Sequence, residues 1–332
     1  MTEKVLVAGG AGFIGSNFVR QALERTDWRF TIFDDFSHAK IETLSDLPQS
    51  RVAVIRGNIC EIDSLREALR GMTLAVNFAA ESHNDTSLVN PKAFVDTNII
   101  GTFNFLELAR SGNFRYHHIS TDEVYGDLEL DQTSKFDISS PYNPSSPYSA
   151  TKASSDLLVR AWVRSFGIAA TISNCTNNFG PWQHVEKFIP RQITNILCGV
   201  KPRIYGTGAQ IRDWIHVDDH NLALLRILEA GEKGQTYLIS ANQEFSNLEV
   251  VKKINEIMGR DNSNYEHVQD RPGHDKRYAL DNTKLRIDLG WQPTFTNFDE
   301  CLEQTVTWYQ GNKSWWEQTK FETEEKYKEI GR

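Results

Sequence analysis

The chain has 332 residues and a formal net charge of -8, from 36 Lys and Arg against 44 Asp and Glu. Such an acidic balance is ill suited to coating phosphate backbones, which argues against a general nucleic-acid binder, and no apolar run approaches the ~20 residues of a membrane span. The cysteines Cys60, Cys175, Cys198 and Cys301 are scattered, with no Cys-x-x-Cys pair, so a reduced, cytoplasmic protein without disulfide staples or a metal site is expected.

In chain order, short apolar runs alternate with amphipathic stretches through the first half. Strands are expected at residues 4–8, 30–33, 52–55, 74–78, 116–120 and 169–173, with helices between them, including 16–25 and 64–70. Ser64 followed three residues on by Glu67 has the spacing of a capping box for the second helix. Strands alternating with helices imply an α/β fold, a Rossmann-type doubly wound parallel sheet, with its chemistry at the carboxyl ends of the strands. Near Asn178 the rhythm breaks. Helices at 189–197, 220–230 and 248–258 then mix with short strands and loops, a pattern we read as a smaller mixed α/β substrate-binding lobe. The expected division gives residues 1–178 to the Rossmann domain, with 213–243 returning to it, and 179–212 and 244–332 to the lobe. Residues 320–332 are highly charged and are expected to form a solvated helix or frayed tail rather than a binding segment.

Three motifs carry chemistry. Gly9-Gly-Ala-Gly12-Phe-Ile-Gly15 follows the first strand and opens the first helix. Gly9 permits a tight turn, Gly12 lets backbone approach a pyrophosphate, and Gly15 lets helix meet strand, while the helix N-terminus offers N–H groups to phosphate. Asp34 ends the second strand, nineteen residues after Gly15. There it can accept the ribose hydroxyls of NAD and would repel the extra phosphate of NADP. Asn58, after the third strand, could meet an adenine edge or simply form a turn. Tyr148 and Lys152 stand four residues apart, on one face of a helix expected to begin near Pro147. An ammonium and a cationic nicotinamide beside the phenol would lower its pKa and let it take an alcohol proton. Between these motifs lies Ser120-Thr-Asp-Glu-Val-Tyr-Gly126, at the carboxyl end of the fifth strand. Thr121 can bond a reacting oxygen. Asp122 and Glu123 are two carboxylates in one place, suited to act as acid and base if their environments differ. Alcohol oxidation alone needs no such pair, whereas elimination of water does.

With these runs, and with Ala79-Ala-Glu-Ser-His83, Thr97-Asn-Ile-Ile-Gly-Thr102, Asn177-Asn-Phe-Gly-Pro181, Arg212-Asp-Trp214 and Arg271-Pro-Gly-His-Asp275, the sequence resembles the extended short-chain dehydrogenase/reductase family and, within it, the nucleotide-hexose 4,6-dehydratases. The resemblance implies an NAD-dependent lyase acting on a nucleotide sugar, dTDP-glucose foremost. C4 is oxidised, water is lost across C5 and C6, and hydride returns to C6. Alternatives are a 4-epimerase or a dehydratase for a UDP, CDP or GDP sugar. It implies catalytic roles for Thr121, Asp122, Glu123, Tyr148 and Lys152. NAD is expected along Gly9, Gly12, Phe13, Ile14, Gly15, Asp34, Asn58, Ile59, Phe78, Ala79, Ala80, Thr97, Tyr148 and Lys152. Substrate contacts are expected at Ser82, Thr121, Asn177, Lys187, Arg203, Tyr205, Arg212, Asn247, Arg271 and His274. Lys187, Arg212 and Arg271 among these suit a diphosphate. It also implies a homodimer through helices near 97–111 and 148–166. The chain departs from the family pattern at Asn58, where Asp is usual, at His83-Asn-Asp-Thr86, where His-Val-Asp-Arg is usual, and in the segment after the second strand.

Overall fold

The computed structural model describes residues 2–270 and 272–329. Its strands are β1 (Lys4–Ala8), β2 (Arg29–Asp34), β3 (Val52–Arg56), β4 (Leu74–Asn77), β5 (Arg115–Thr121), β6 (Ala170–Cys175), β7 (Asn177–Phe179), β8 (Arg203–Tyr205), β9 (Ile211–His216), β10 (Thr236–Ile239), β11 (Glu244–Ser246) and β12 (Glu266–Val268). The helices are α1 (Phe13–Arg25), α2 (Ile62–Ala68), α3 (Asn84–Val89), α4 (Pro91–Phe94), α5 (Gly101–Ser111), α6 (Pro147–Phe166), α7 (Phe188–Leu197), α8 (Val217–Ala230), α9 (Asn247–Ile257), α10 (Thr283–Leu289), α11 (Phe298–Gly311) and α12 (Lys313–Glu329). A π-helical turn, Val95–Ile100, joins α4 to α5.

Seven strands form one sheet in the order β10-β6-β5-β4-β1-β2-β3, and every pairing in it is parallel. Parallel sheets bury both faces, so their strands read as unbroken apolar runs; Val5, Leu6, Val7 and Ala8 of β1 are all buried accordingly. One face packs Leu6, Phe33, Phe105 and Tyr116 under α2 and α5. The other packs Val5, Phe18, Ile32 and Leu224 under α1 and α8. The strand order reverses between β1 and β4, and a cleft opens at the carboxyl ends there, as the doubly wound topology requires.

A smaller sheet, β11-β9-β7, and the pair β12-β8 form the second lobe. Its core gathers Phe179 of β7 and Trp214 of β9 with Ile189, Val250, Leu302 and Trp316 of α7, α9, α11 and α12.

Two local expectations fail. The helix expected at 64–70 starts at Ile62 with Glu61 at its N-cap and no side-chain cap, so Ser64 and Glu67 form no capping box; Ser64 lies inside the first turn. The charged segment from residue 320 is neither frayed nor fully solvated where it is described. α12 is regular through Glu329, because Trp316, Lys320, Thr323 and Tyr327 form a buried stripe on it. Lys320 tolerates burial by donating to Asn195 Oδ1 and to Glu324 at 2.5 and 2.6 Å.

Candidate active site

The glycine turn is shaped by contacts that exclude a side chain. Gly9 has φ +71°, and a Cβ there would lie 2.6 Å from Ala79 N; at Gly15 it would lie 2.5 Å from the Gly9 carbonyl oxygen. Gly12 caps α1 with no side-chain acceptor, and no acidic residue occupies the first turn. The helix N-terminus therefore keeps its donors and partial positive charge for an anion. Asp34 accepts from Ala11 N at 3.0 Å and Phe36 N at 2.9 Å, so it braces the glycine turn. Each carboxylate oxygen retains capacity for a further bond. Burial raises the pKa of Asp34, and these two N–H groups oppose the rise. The residues thus fit a dinucleotide: an open phosphate cradle, an acidic residue at the end of β2, and an apolar floor of Ile59, Phe78 and Ala79. Asn58 is held locally, donating to Asp35 Oδ2 at 2.9 Å and accepting from Cys60 N at 2.8 Å. Of the two readings left open for it, this geometry favours the turn.

The cleft running from this turn past β5 encloses about 380 Å³. It is lined by every residue expected at the dinucleotide and by Thr121, Asp122, Glu123, Tyr148 and Lys152. A neighbouring recess of about 180 Å³ shares Ser82, Glu123, Asn177 and Lys187 with it. Arg203, Tyr205, Arg212, Asn247 and His274 line that recess. Arg271 lies outside the described residues.

Where the two spaces meet, Thr121 caps the short turn Asp122–Tyr125, accepting from Glu123 N at 3.3 Å and donating to Asp122 Oδ1 at 3.1 Å. Asp122 is buried, and its Oδ2 has no hydrogen-bond partner among the described residues. Burial first, and the adjacent Glu123 charge second, hold its pKa well above the carboxylate range. A carboxyl kept neutral beside a half-buried carboxylate can donate a proton while its neighbour accepts one.

Ser146 caps α6 in a reciprocal box with Ser149, and Pro147 takes the first helical position. This fixes Tyr148 and Lys152 on the inner face of the helix, both buried. Lys152 Nζ donates to the Ile119 carbonyl at 2.7 Å, and burial lowers its pKa to about 8. The expectation for Tyr148 is reversed in the chain alone. Burial and the Glu123 charge push the phenol well above its usual pKa, opposed by a hydrogen bond with Thr121.

The recess is a ring of cations held by the backbone and by carboxylates. Lys187 donates to Ser82 O at 2.8 Å and Oγ at 3.2 Å. Arg212 donates to Asp275 O at 2.9 Å and lies over the Tyr278 ring at 4.3 Å. Arg203 meets Glu266 at 2.7 Å. Residues not foreseen from the sequence also line it: Asn84, Arg191, Tyr278 and Tyr327. Arg191 forms a fork with Glu324, both contacts 3.0 Å, and lies 3.6 Å from the Tyr327 ring centre. Tyr327 reaches His83 Nε2 at 2.7 Å. No local signal marks Arg191, which looks like the polar rim of an amphipathic helix, or Tyr327, which sits in a charged run.

Comparison with known proteins finds relatives over nearly the whole chain. The family model described as GDP-mannose 4,6 dehydratase matches residues 6–305. A dTDP-glucose 4,6-dehydratase of Mycobacterium tuberculosis is 53% identical over 330 residues, covering 99% of each chain. Among solved structures, a dTDP-glucose 4,6-dehydratase of Streptomyces venezuelae with NAD bound superposes with a TM-score of 0.91 at 40% identity, over 95% of this chain and 99% of that one. A UDP-glucose 4-epimerase of Thermus thermophilus in complex with NAD gives 0.85 at 26% identity, over 93% and 99%.

Proposed function

The chain belongs to the GDP-mannose 4,6 dehydratase family, and from that premise we propose that it is an NAD-dependent lyase converting dTDP-glucose to dTDP-4-keto-6-deoxyglucose. The observation that carries the reading is the buried Asp122, its pKa raised, beside Glu123 at the junction of the two spaces. A 4-epimerase has no use for such a pair.

When bound, NAD supplies a two-electron acceptor that takes hydride from sugar C4 and returns it at C6, and its cationic ring favours the Tyr148 phenolate. Tyr148 takes the proton of the 4-hydroxyl, with Lys152 keeping positive charge beside it and Thr121 bonding the C4 oxygen. The 4-ketone acidifies the C5–H bond. Glu123 removes that proton, the bonding pair becomes the C5–C6 double bond, and the C6–O bond breaks as Asp122 protonates the departing hydroxyl to water. Glu123 gives its proton back to C5 as C6 is reduced. The proton gained by Tyr148 and the one lost by Asp122 balance through solvent. Lys187, Arg203, Arg212 and Arg271 are assigned to the diphosphate, and Ser82, Asn177, Tyr205, Asn247 and His274 to the sugar and base.

The homodimer is part of the same reading. Ile100, Phe103, Leu157 and Phe166 are exposed apolar residues on the π-turn, α5 and α6, a face suited to a second copy. No helix among the described residues is long and apolar enough to cross a membrane. All four cysteines are free thiols, which supports the cytoplasm as the working compartment.

The test is to incubate purified protein with dTDP-, UDP-, GDP- and CDP-glucose and follow the 4-keto product. Appearance of a 6-deoxy-4-ketone from dTDP-glucose first is expected; a C4 epimer with no loss of water would replace this reading.

A further inference from the structure

Asn84 is the first residue of α3 and lines the recess beside Glu123. Its side chain is bonded at both ends. Nδ2 donates to Glu123 Oε2 at 2.9 Å, and Oδ1 accepts from Ser146 Oγ at 2.9 Å. The Ser146 hydroxyl already accepts from Ser149 N at 3.1 Å, which leaves its proton for Asn84. The amide orientation follows: oxygen toward Ser146, donor toward the carboxylate. Reversed, it would set the amide oxygen against the Glu123 carboxylate oxygen.

This bridge spans three elements that the chemistry needs in register. Ser146 is the N-cap of the helix that carries Tyr148 two residues later. Glu123 sits on the turn after β5. A carboxylate on a turn samples rotamers, and a general base must be within hydrogen-bond reach of the proton it takes. A neutral donor on one oxygen fixes the rotamer and, by bonding the charged form, favours ionisation. Asp122 shares the turn of Glu123, Tyr148 faces it from α6, and Tyr278 faces it from the second lobe, each electrostatically coupled to the Glu123 charge. Arg212 of β9 is the cation coupled to Asp122 and Tyr278 in the same cluster.

We propose that Asn84 is a positioning residue for the elimination step, holding Glu123 in the rotamer and charge state that removes the C5 proton by bridging it to the N-cap of α6. The proposal rests on Glu123 being that base.

The experiment compares Asn84→Asp, Asn84→Ala and Glu123→Gln with the parent enzyme. It measures kcat and KM for dTDP-glucose against pH, deuterium wash-in at C5 by mass spectrometry, and the Glu123 carboxyl titration by 13C NMR of the substrate-free protein, assigned by its loss in Glu123→Gln. Asn84→Asp replaces a donor with a second acceptor. It is expected to lower kcat and C5 exchange by about tenfold or more, to leave KM within about twofold, and to raise both the acidic limb and the Glu123 titration by roughly one pH unit. Asn84→Ala, which adds no charge, should show the same changes at smaller size. A parental pH profile and C5 exchange in both Asn84 variants, with Glu123→Gln inactive, would overturn the role of Asn84 alone. A raised KM with an unmoved Glu123 titration would also overturn it, by making Asn84 a substrate contact. Full C5 exchange in Glu123→Gln would instead remove the underlying assignment of the base.

Discussion

The two halves of the cleft are built by different means. The dinucleotide half is made of backbone: a turn that admits no Cβ at Gly9 or Gly15, a helix N-terminus without a side-chain cap, and Asp34 bonded to two main-chain N–H groups. Its residues lie close together in sequence at strand ends. The sugar-nucleotide half is made of long side chains from α7, β8, β9, α9 and α12, held by Glu266, Glu324 and carbonyl groups. A site made of main chain has few ways to vary, whereas a site made of side chains can be retuned one residue at a time. The halves should therefore respond differently to substitution.

The largest effect is expected at their junction. Glu123→Gln should lower turnover by about 10²–10⁴-fold with little change in substrate affinity, read from steady-state kinetics and calorimetric titration with dTDP-glucose; equal losses in both would make Glu123 a binding group. Lys152 lines the dinucleotide half beside Tyr148. Burial depresses its pKa to about 8, so below that pH the fold holds a desolvated ammonium that the unfolded chain, titrating near 10.5, keeps in water. Lys152→Met should abolish most activity yet raise stability at pH 7, on the order of a few kcal/mol. The gain should shrink between pH 8 and 10.5 and vanish above; urea unfolding across that range would expose a pH-independent gain, which burial of the charge could not produce.

In the backbone half, Gly15→Ala should cost about 1–3 kcal/mol, because the atoms crowding the new methyl, Gly9 O at 2.5 Å and Gly10 Cα at 2.9 Å foremost, belong to main chain. It should weaken NAD binding while leaving affinity for dTDP alone near the parental value, and fluorescence titration with each ligand separates the two. In the side-chain half, Arg212→Lys keeps the charge but loses the fork and much of the stacking on Tyr278. A rise in KM for dTDP-glucose of roughly tenfold is expected, about 1.4 kcal/mol, with NAD affinity unmoved. If NAD affinity fell as far as substrate affinity in that variant, the halves would not be separable.

The same division explains what could be read beforehand. Six of the seven strands of the large sheet were legible as short, largely apolar runs, whereas β10 was not placed; the glycine turn, Asp34, Tyr148 and Lys152 were legible because their spacing is local. The Thr121-Asp122-Glu123 run stood out as paired acids, but its electrostatics did not. That Tyr148 rises rather than falls in the chain alone depends on burial and on Glu123, which sequence distance hides. Ser64 and Glu67 mimic a cap because spacing alone cannot tell an N-cap from the first turn. Asn84, Arg191 and Tyr327 were not foreseen as site residues, since their partners lie 39, 133 and 244 residues away.

The chain passes between its two sheets by short links. One residue, Thr176, separates β6 from β7; α8 begins directly where β9 ends; and β10 leads into β11 through residues 240–243. At the far side, Lys40 and Thr43, which follow β2, bond Trp315 of α12. Neither half can melt without dragging on strands of the other, so denaturation should be a single transition seen alike by every spectroscopic probe. Fragments cut at any one of these links should remain associated but fail to refold apart.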